Sequence, residues 1–316
     1  MIGFADLPVR ENVDGQLRRV GIEVEFGALS ARQAATAIAE ELGGAVAEED
    51  AHAFAVEGTA LGTLMVEIDM RYAHPQRHQG TRWGRLGRNW AALLGTAAQP
   101  FVPREMVTRP IPVDQLYLVD QAVEALRRAG AREVGPIAFG LHFNPEVPRL
   151  DAETITGILK AFVLLNDWLR QESQPRRLSH RLGFGGGFPP AYVRRVVAPD
   201  YWPDLADLMN DYLAANPTRD RDLDLLPLFL HLDEQRVRAR LPEEKIGKRA
   251  VLHYRLPTAR VGQPDWSIAS DWNRWVAVEQ LASDRERLER VAAVYLAAAG
   301  KPRGWAEVSA RLAFET

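Results

Sequence analysis

Cysteine is absent from the 316 residues, and that one absence excludes disulfides, thiolate metal sites and a catalytic thiol. Lysine is scarce: only Lys160, Lys245, Lys248 and Lys301 stand among 39 basic residues, the rest being arginine. In so arginine-rich a chain, the mere presence of an arginine at a position says little. Long apolar runs are missing too. No stretch approaches the ~20 residues of a membrane-spanning helix, and residues 1–18 hold no apolar core behind a basic start. A soluble, cytoplasmic protein without membrane contacts is the expectation. The formal net charge is −3 and the pI about 6.2, so no global basic field invites nucleic acid. What remains is 47% hydrophobic, enough for a large core in one elaborate domain or a domain with a helical appendage.

The stretch Arg19-Val20-Gly21-Ile22-Glu23-Val24-Glu25-Phe26 organises what is present. Its apolar residues alternate at period two, the signature of a strand with Ile22, Val24 and Phe26 on one face and Glu23 and Glu25 on the other. The two carboxylates then sit roughly 6–7 Å apart, and their repulsion is about 2 kcal/mol at an effective dielectric of about 20. Either this is a solvated edge face, or something positive lies over it, most simply a hard divalent cation.

The pattern recurs. In 61–70, Leu64, Val66, Ile68 and Met70 oppose Met65, Glu67 and Asp69. In 137–144, Ile137, Phe139, Leu141 and Phe143 oppose a face carrying His142 and Asn144, and Pro145 ends the ladder. In 250–256, Ala250, Leu252, Tyr254 and Leu256 oppose Val251, His253 and Arg255. A strand at 101–109 adds Glu105. Further strands are expected at 45–56, before the turn Glu57-Gly58-Thr59, and at 228–233, where leucines alternate with Phe229, His231 and Asp233.

Helices separate these strands. Ser30 and Gln33 form a capping box ahead of a helix that stops at Gly43-Gly44. Others are expected through Trp83–Leu94, over 113–129, after Asp151, over 192–215 with a break at Pro203, and from Asp271 onward. Residues 236–248 read as a charged connection. A Gly-rich loop over 174–190 matches no nucleotide-binding fingerprint, but its glycines let backbone approach a ligand and Arg176, Arg177 and Arg181 suit phosphate; a plain linker is the competing reading. If the four patterned strands share one sheet, helices cover its apolar face and the other becomes an acidic floor with imidazoles, suited to Mg²⁺ or Mn²⁺ and phosphate oxygens.

The motifs Arg-x-Gly-Ile-Glu-Val-Glu-Phe, Val-Glu-Ile-Asp, Glu-Met-Val-Thr-Arg-Pro, Gly-Leu-His-Phe-Asn-Pro and His-Tyr-Arg, in that order, resemble the amidoligase family of the carboxylate–amine ligase superfamily, with glutamine synthetase and glutamate–cysteine ligase. The resemblance spans about Arg19 to Leu281. It implies an α+β fold: a glutamine synthetase-like curved, mainly antiparallel sheet with helices on one face and an open polar funnel on the other. Residues 1–281 would form this catalytic domain and 282–316 a helical extension packed on it.

Carried over by motif, Glu23 and Glu25 match the first-strand metal carboxylates, Glu67 the acidic position of the next strand, with Asp69 beside it, and Glu105 the glutamate of the following one. His142, with Asn144, faces nucleotide phosphate or metal. Arg255 matches a phosphate-binding arginine; Arg181, which comes from the Gly-rich loop and not from a motif, is a further candidate phosphate contact. One departure stands out: His253 replaces the glutamate expected two residues before that arginine, so a neutral imidazole of different reach takes a metal-ligand position.

The implied reaction is ATP-dependent amide or isopeptide formation through an acyl phosphate, with Arg255, His142 and Glu105 at the chemistry and ATP and Mg²⁺ or Mn²⁺ as cofactors. Its partners would be a carboxylate, an amine and a separately encoded amidotransferase-like or cyclotransferase-like protein. The same residues also suit a metal-dependent hydrolase, or a ligand-binding protein that has lost turnover.

Overall fold

The computed structural model describes residues 2–68, 103–134, 138–173, 186–298 and 304–314. Asp69, Arg181, the expected helix through Trp83–Leu94 and most of the Gly-rich loop lie outside these residues. The fold is α+β, and its strand ladders are antiparallel. Packing divides the chain into two units: Gly21–Leu141 with Thr258–Ala269, and Met1–Val20 with His142–Pro257 and Ser270–Thr316.

The first unit is built on a sheet in the order β2 (Ala45–Asp50), β3 (Ala53–Thr59), β4 (Gly62–Ile68), β5 (Arg104–Thr108), β1 (Arg19–Phe26). The expected strand over 45–56 is in fact a hairpin. Its turn falls at 51–52, and β3 runs on through Glu57-Gly58, where the sequence suggested a turn. Gly58 is in the left-handed region at φ 72°, so it bends the end of the strand without breaking it. Helix α1 (Ala31–Leu42) starts at Ser30, whose hydroxyl accepts from Gln33 N while the Gln33 side chain accepts from Ser30 N, and it ends at Gly43. With Ala34, Ala35 and Ile38 buried, α1 packs on β3, β4 and α2 (Leu116–Arg128). A single 3₁₀ turn, Val113–Gln115, follows β6 (Ile111–Pro112) and leads into α2.

Three connections close this unit. Gly27 exchanges backbone hydrogen bonds with Arg132 (3.0 and 3.2 Å). A Cβ there would meet Val134 Cγ2 at 2.5 Å, so only glycine permits the approach. The late strand β10 (Thr258–Ala259) pairs with Phe139 and Gly140 at the start of β7 (Phe139–Pro145). Behind it, Asp120 of α2 accepts from Ser267 Oγ (2.9 Å) and Ile268 N (3.1 Å), and Arg127 donates to Val261 O and Trp266 O (both 2.7 Å).

In the second unit the rest of β7 is followed by β9 (His253–Tyr254) and then β8 (Leu223–Asp224). Phe143 of β7 stacks on Tyr254 of β9 (6.3 Å). Tyr254 also meets Trp275 (5.3 Å) of α8 (Ile268–Ser283) and Phe162 (5.9 Å) of α3 (Ala152–Ser173). Asp151 caps α3 through Thr154 N (2.7 Å). Helices α9 (Arg285–Ala297) and α10 (Trp305–Phe314) pack against α3, where Trp305 Nε1 donates to Leu164 O (2.8 Å). Helices α4 (Pro190–Val196) and α5 (Leu205–Ala215) flank the break at Pro203.

The N-terminal segment is held by a buried ion pair. Arg18, fully buried, donates to both Glu279 oxygens (2.7 and 2.8 Å), to Glu146 O and to Val9 O. Trp275 Nε1 completes the carboxylate's shell at 2.8 Å.

Two expectations are overturned here. Residues 228–233 belong to helix α6 (Leu226–Leu232), with Pro227 in its first turn. Leu226 to Leu230 are buried on every side, and all-round burial erases the difference between the two periodicities. The first part of the "charged connection" is helix α7 (Glu234–Arg240), which Asp233 caps through Arg236 N. The expected strand over 250–256 is also shorter, with only His253–Tyr254 in a ladder and Val251 in a lone bridge to Glu146.

Candidate active site

The first unit carries the acidic floor. Register places Glu67 of β4 opposite Glu105 of β5, and Glu105 opposite Glu25 of β1. One step along, on the same face, Met65, Val107 and Glu23 form the next row. Between them on the opposite face run Val66, Met106 and Val24, all fully buried. The alternation of strand side chains thus separates a carboxylate face from an apolar face. Glu25 is 2% exposed, and its Oε2 accepts from Gly140 N at 2.8 Å. That charge-assisted bond fixes one carboxylate oxygen and the side chain's direction. Glu23, Glu67 and Glu105 are half-buried. Like charges directly opposite one another repel.

The second unit carries the imidazoles. His142 of β7 and His253 of β9 are 6% and 3% exposed. Their rings meet edge to face at 5.3 Å and 78°, and each offers a ring nitrogen within 4.8 Å of the other's. The packing of Phe143 on Tyr254 directs these histidines to the opposite face of the same pair of strands. Asn144, 4% exposed, lies two residues along from His142. Arg255 is half-buried; its backbone N donates to Asp222 O at 2.8 Å.

Beside them stand two aspartates that sequence reasoning passed over. Asp224 of β8 pairs with His253 in the ladder and is fully buried. Its Oδ1 accepts from Leu226 N (2.9 Å), while Oδ2 has no hydrogen-bond partner. Oδ2 lies 3.9 Å from both His253 Nδ1 and Arg219 Nε. Burial pushes the Asp224 carboxyl up to about 6, opposed by Arg255 and then Arg219. Asp222 is fully buried too, its Oδ2 held by Asn166 (2.8 Å) and Arg170 (2.5 Å). Burial raises its pKa as well, against the Arg170 guanidinium.

These features define an α+β protein with a carboxylate floor in one unit and a buried imidazole–aspartate centre in the other. The family described as "putative amidoligase enzyme" matches residues 16–277, and the chain belongs to it. No curated protein and no solved structure matches the chain. Among the described residues, no helix is long and apolar enough to cross a membrane.

Proposed function

We propose that the chain is an ATP-dependent carboxylate–amine ligase acting in the cytoplasm, forming an amide or isopeptide bond through an acyl phosphate. The observation that carries this reading is the row Glu67–Glu105–Glu25 across three neighbouring strands, in a chain of the amidoligase family.

The donor chemistry fits Mg²⁺ or Mn²⁺, with carboxylate oxygens suiting both and imidazole the second more. On the floor, Glu23, Glu25 and Glu67 would be metal ligands, with Asp69 a further donor; in the other unit His253 would offer a metal ligand. Bound metal would neutralise charge on the phosphates of ATP. Arg255 and Arg181 would bind phosphate oxygens, Arg255 as a bidentate fork. His142 and Asn144 would contact the nucleotide, and Glu105 would steady the acidic floor at the reacting end.

In the proposed reaction the substrate carboxylate oxygen attacks the γ-phosphorus and the bond to ADP breaks. The amine nitrogen then attacks the acyl carbon, phosphate leaves, and the amine loses a proton. No protein nucleophile is needed, in keeping with a chain that has no cysteine. A separately encoded amidotransferase-like or cyclotransferase-like protein would supply or process the substrates.

The test is ADP release from MgATP across a panel of carboxylates and amines. ADP that appears only when acid and amine are both present supports the ligase. Hydrolysis of the amide product without nucleotide would replace it with a metal-dependent hydrolase. No turnover, with ATP still bound, would leave a binding protein.

A further inference from the structure

We propose that Asp224 is a positioning residue for His253, accepting the Nδ1 proton so that Nε2 presents its lone pair to a divalent metal. This rests on the reading of His253 as a metal ligand, and it adds a residue that the motif resemblance does not contain.

The argument starts from the backbone. Asp224 and His253 are directly opposed in the β8–β9 ladder, so their side chains leave the same face side by side. Both are buried, at 0% and 3% exposure. Asp224 Oδ1 is committed to Leu226 N. That leaves Oδ2 buried without a hydrogen bond, a costly state for a carboxylate oxygen. Two donors stand at 3.9 Å, His253 Nδ1 and Arg219 Nε. A separation of 3.9 Å is no hydrogen bond, and rotation of the imidazole by about 1 Å at Nδ1 makes one.

Metal-bound histidines characteristically give their second ring N–H to a carboxylate, which sets the tautomer and raises ligand basicity. Arg219 instead has a second anchor, its NH1 donating to Lys245 O at 2.6 Å.

The same geometry supplies a discriminating variant. In Asp224→Asn the amide oxygen keeps the bond to Leu226 N, which places the amide NH₂ where Oδ2 stood. A donor now faces Nδ1 and forces the Nε2–H tautomer, as the equivalent exchange does in Ser-His-Asp triads. Nε2 then carries a proton and cannot ligate.

The experiment reads the His253 tautomer by ¹⁵N–¹H correlation in the metal-free protein at about pH 8, alongside Mn²⁺ titration. Expected are Nδ1–H in the wild type, Nε2–H in Asp224→Asn, and Mn²⁺ affinity about 10- to 100-fold weaker in the variant. A folded variant with wild-type tautomer and affinity overturns the proposal. So does Nε2–H in the wild type, which needs no variant to fold. A wild type that binds no Mn²⁺ but shows the tautomer inversion removes the metal reading and leaves Asp224 as the residue that orients His253.

Discussion

Glu105 of β5 stands directly across from Glu25 of β1, and on its other side it faces Glu67 of β4. It is the shared neighbour in the row, so its charge acts on both flanking carboxylates. Saturating Mn²⁺ at about 100 times its Kd should stabilise the wild type by about 2.7 kcal/mol. In Glu105→Gln a tenfold weaker site would give up about half of that. Thermal unfolding with and without Mn²⁺ checks this, and an equal metal-induced shift in both proteins would detach Glu105 from metal binding.

Arg255 sits two residues from His253 and is the largest cationic influence on the buried Asp224. If it binds phosphate, Arg255→Lys should lower ATP turnover about 10²-fold, as losing one preorganised contact typically does, with little change in melting temperature. If its main task is to offset Asp224, the melting temperature should fall while the folded enzyme keeps its turnover. Steady-state kinetics beside a melting curve separates the two.

Lys160 on α3 is 3% exposed. Its Nζ donates to Ala198 O at 2.7 Å and lies 4.8 Å from the Trp202 ring centre. Burial, followed by repulsion from Arg285, lowers its pKa from 10.5 to about 8. Between these values the unfolded chain holds a proton that the folded chain has released, so stability should rise with pH across that window, by at most about 3 kcal/mol. Lys160→Met should lose that rise. Urea unfolding of both proteins at pH 7 and at pH 10 measures the difference, and parallel pH profiles would refute it.

Removing Arg18 should be severe. Its guanidinium spends its donors on Glu279, Glu146 and Val9 inside the second unit. Arg18→Met strands the Glu279 carboxylate in the interior, at a cost of about 3–5 kcal/mol. Denaturant unfolding should show it, and a loss below about 1 kcal/mol would mean that water reaches Glu279.

The parts of this molecule that the sequence made legible are those where local pattern and tertiary role coincide. The Glu23/Glu25 alternation lies in a strand, Ser30 and Gln33 form their box, and His142 and His253 stand on paired strands. Asp222 and Asp224 were invisible for the opposite reason. They lie in Arg219-Asp-Arg-Asp-Leu-Asp224, which reads as a solvated charged turn. Asp222 is held by Asn166 and Arg170, some 50 residues away in α3, Asp224 lies beside His253 of another strand, and a two-residue strand leaves no periodicity to detect. Leu226–Leu232 failed differently, because Leu226 to Leu230, more than a full turn, are all buried and leave no polar face to mark the period.

The closure of the first unit by Thr258–Ala269 has a consequence for synthesis. Asp120 meets its partner Ser267 147 positions later in the chain, and Phe139 and Gly140 wait for Ala259 and Thr258 of β10. At about 5–20 residues per second, α2 and the start of β7 leave the ribosome roughly 6–30 s before the segment that covers them. During that interval an unpaired strand edge is open to wrong partners. A nascent chain stalled short of residue 258 should therefore be held by chaperones and cut readily by protease near Phe139, and one released past Ala269 should resist both.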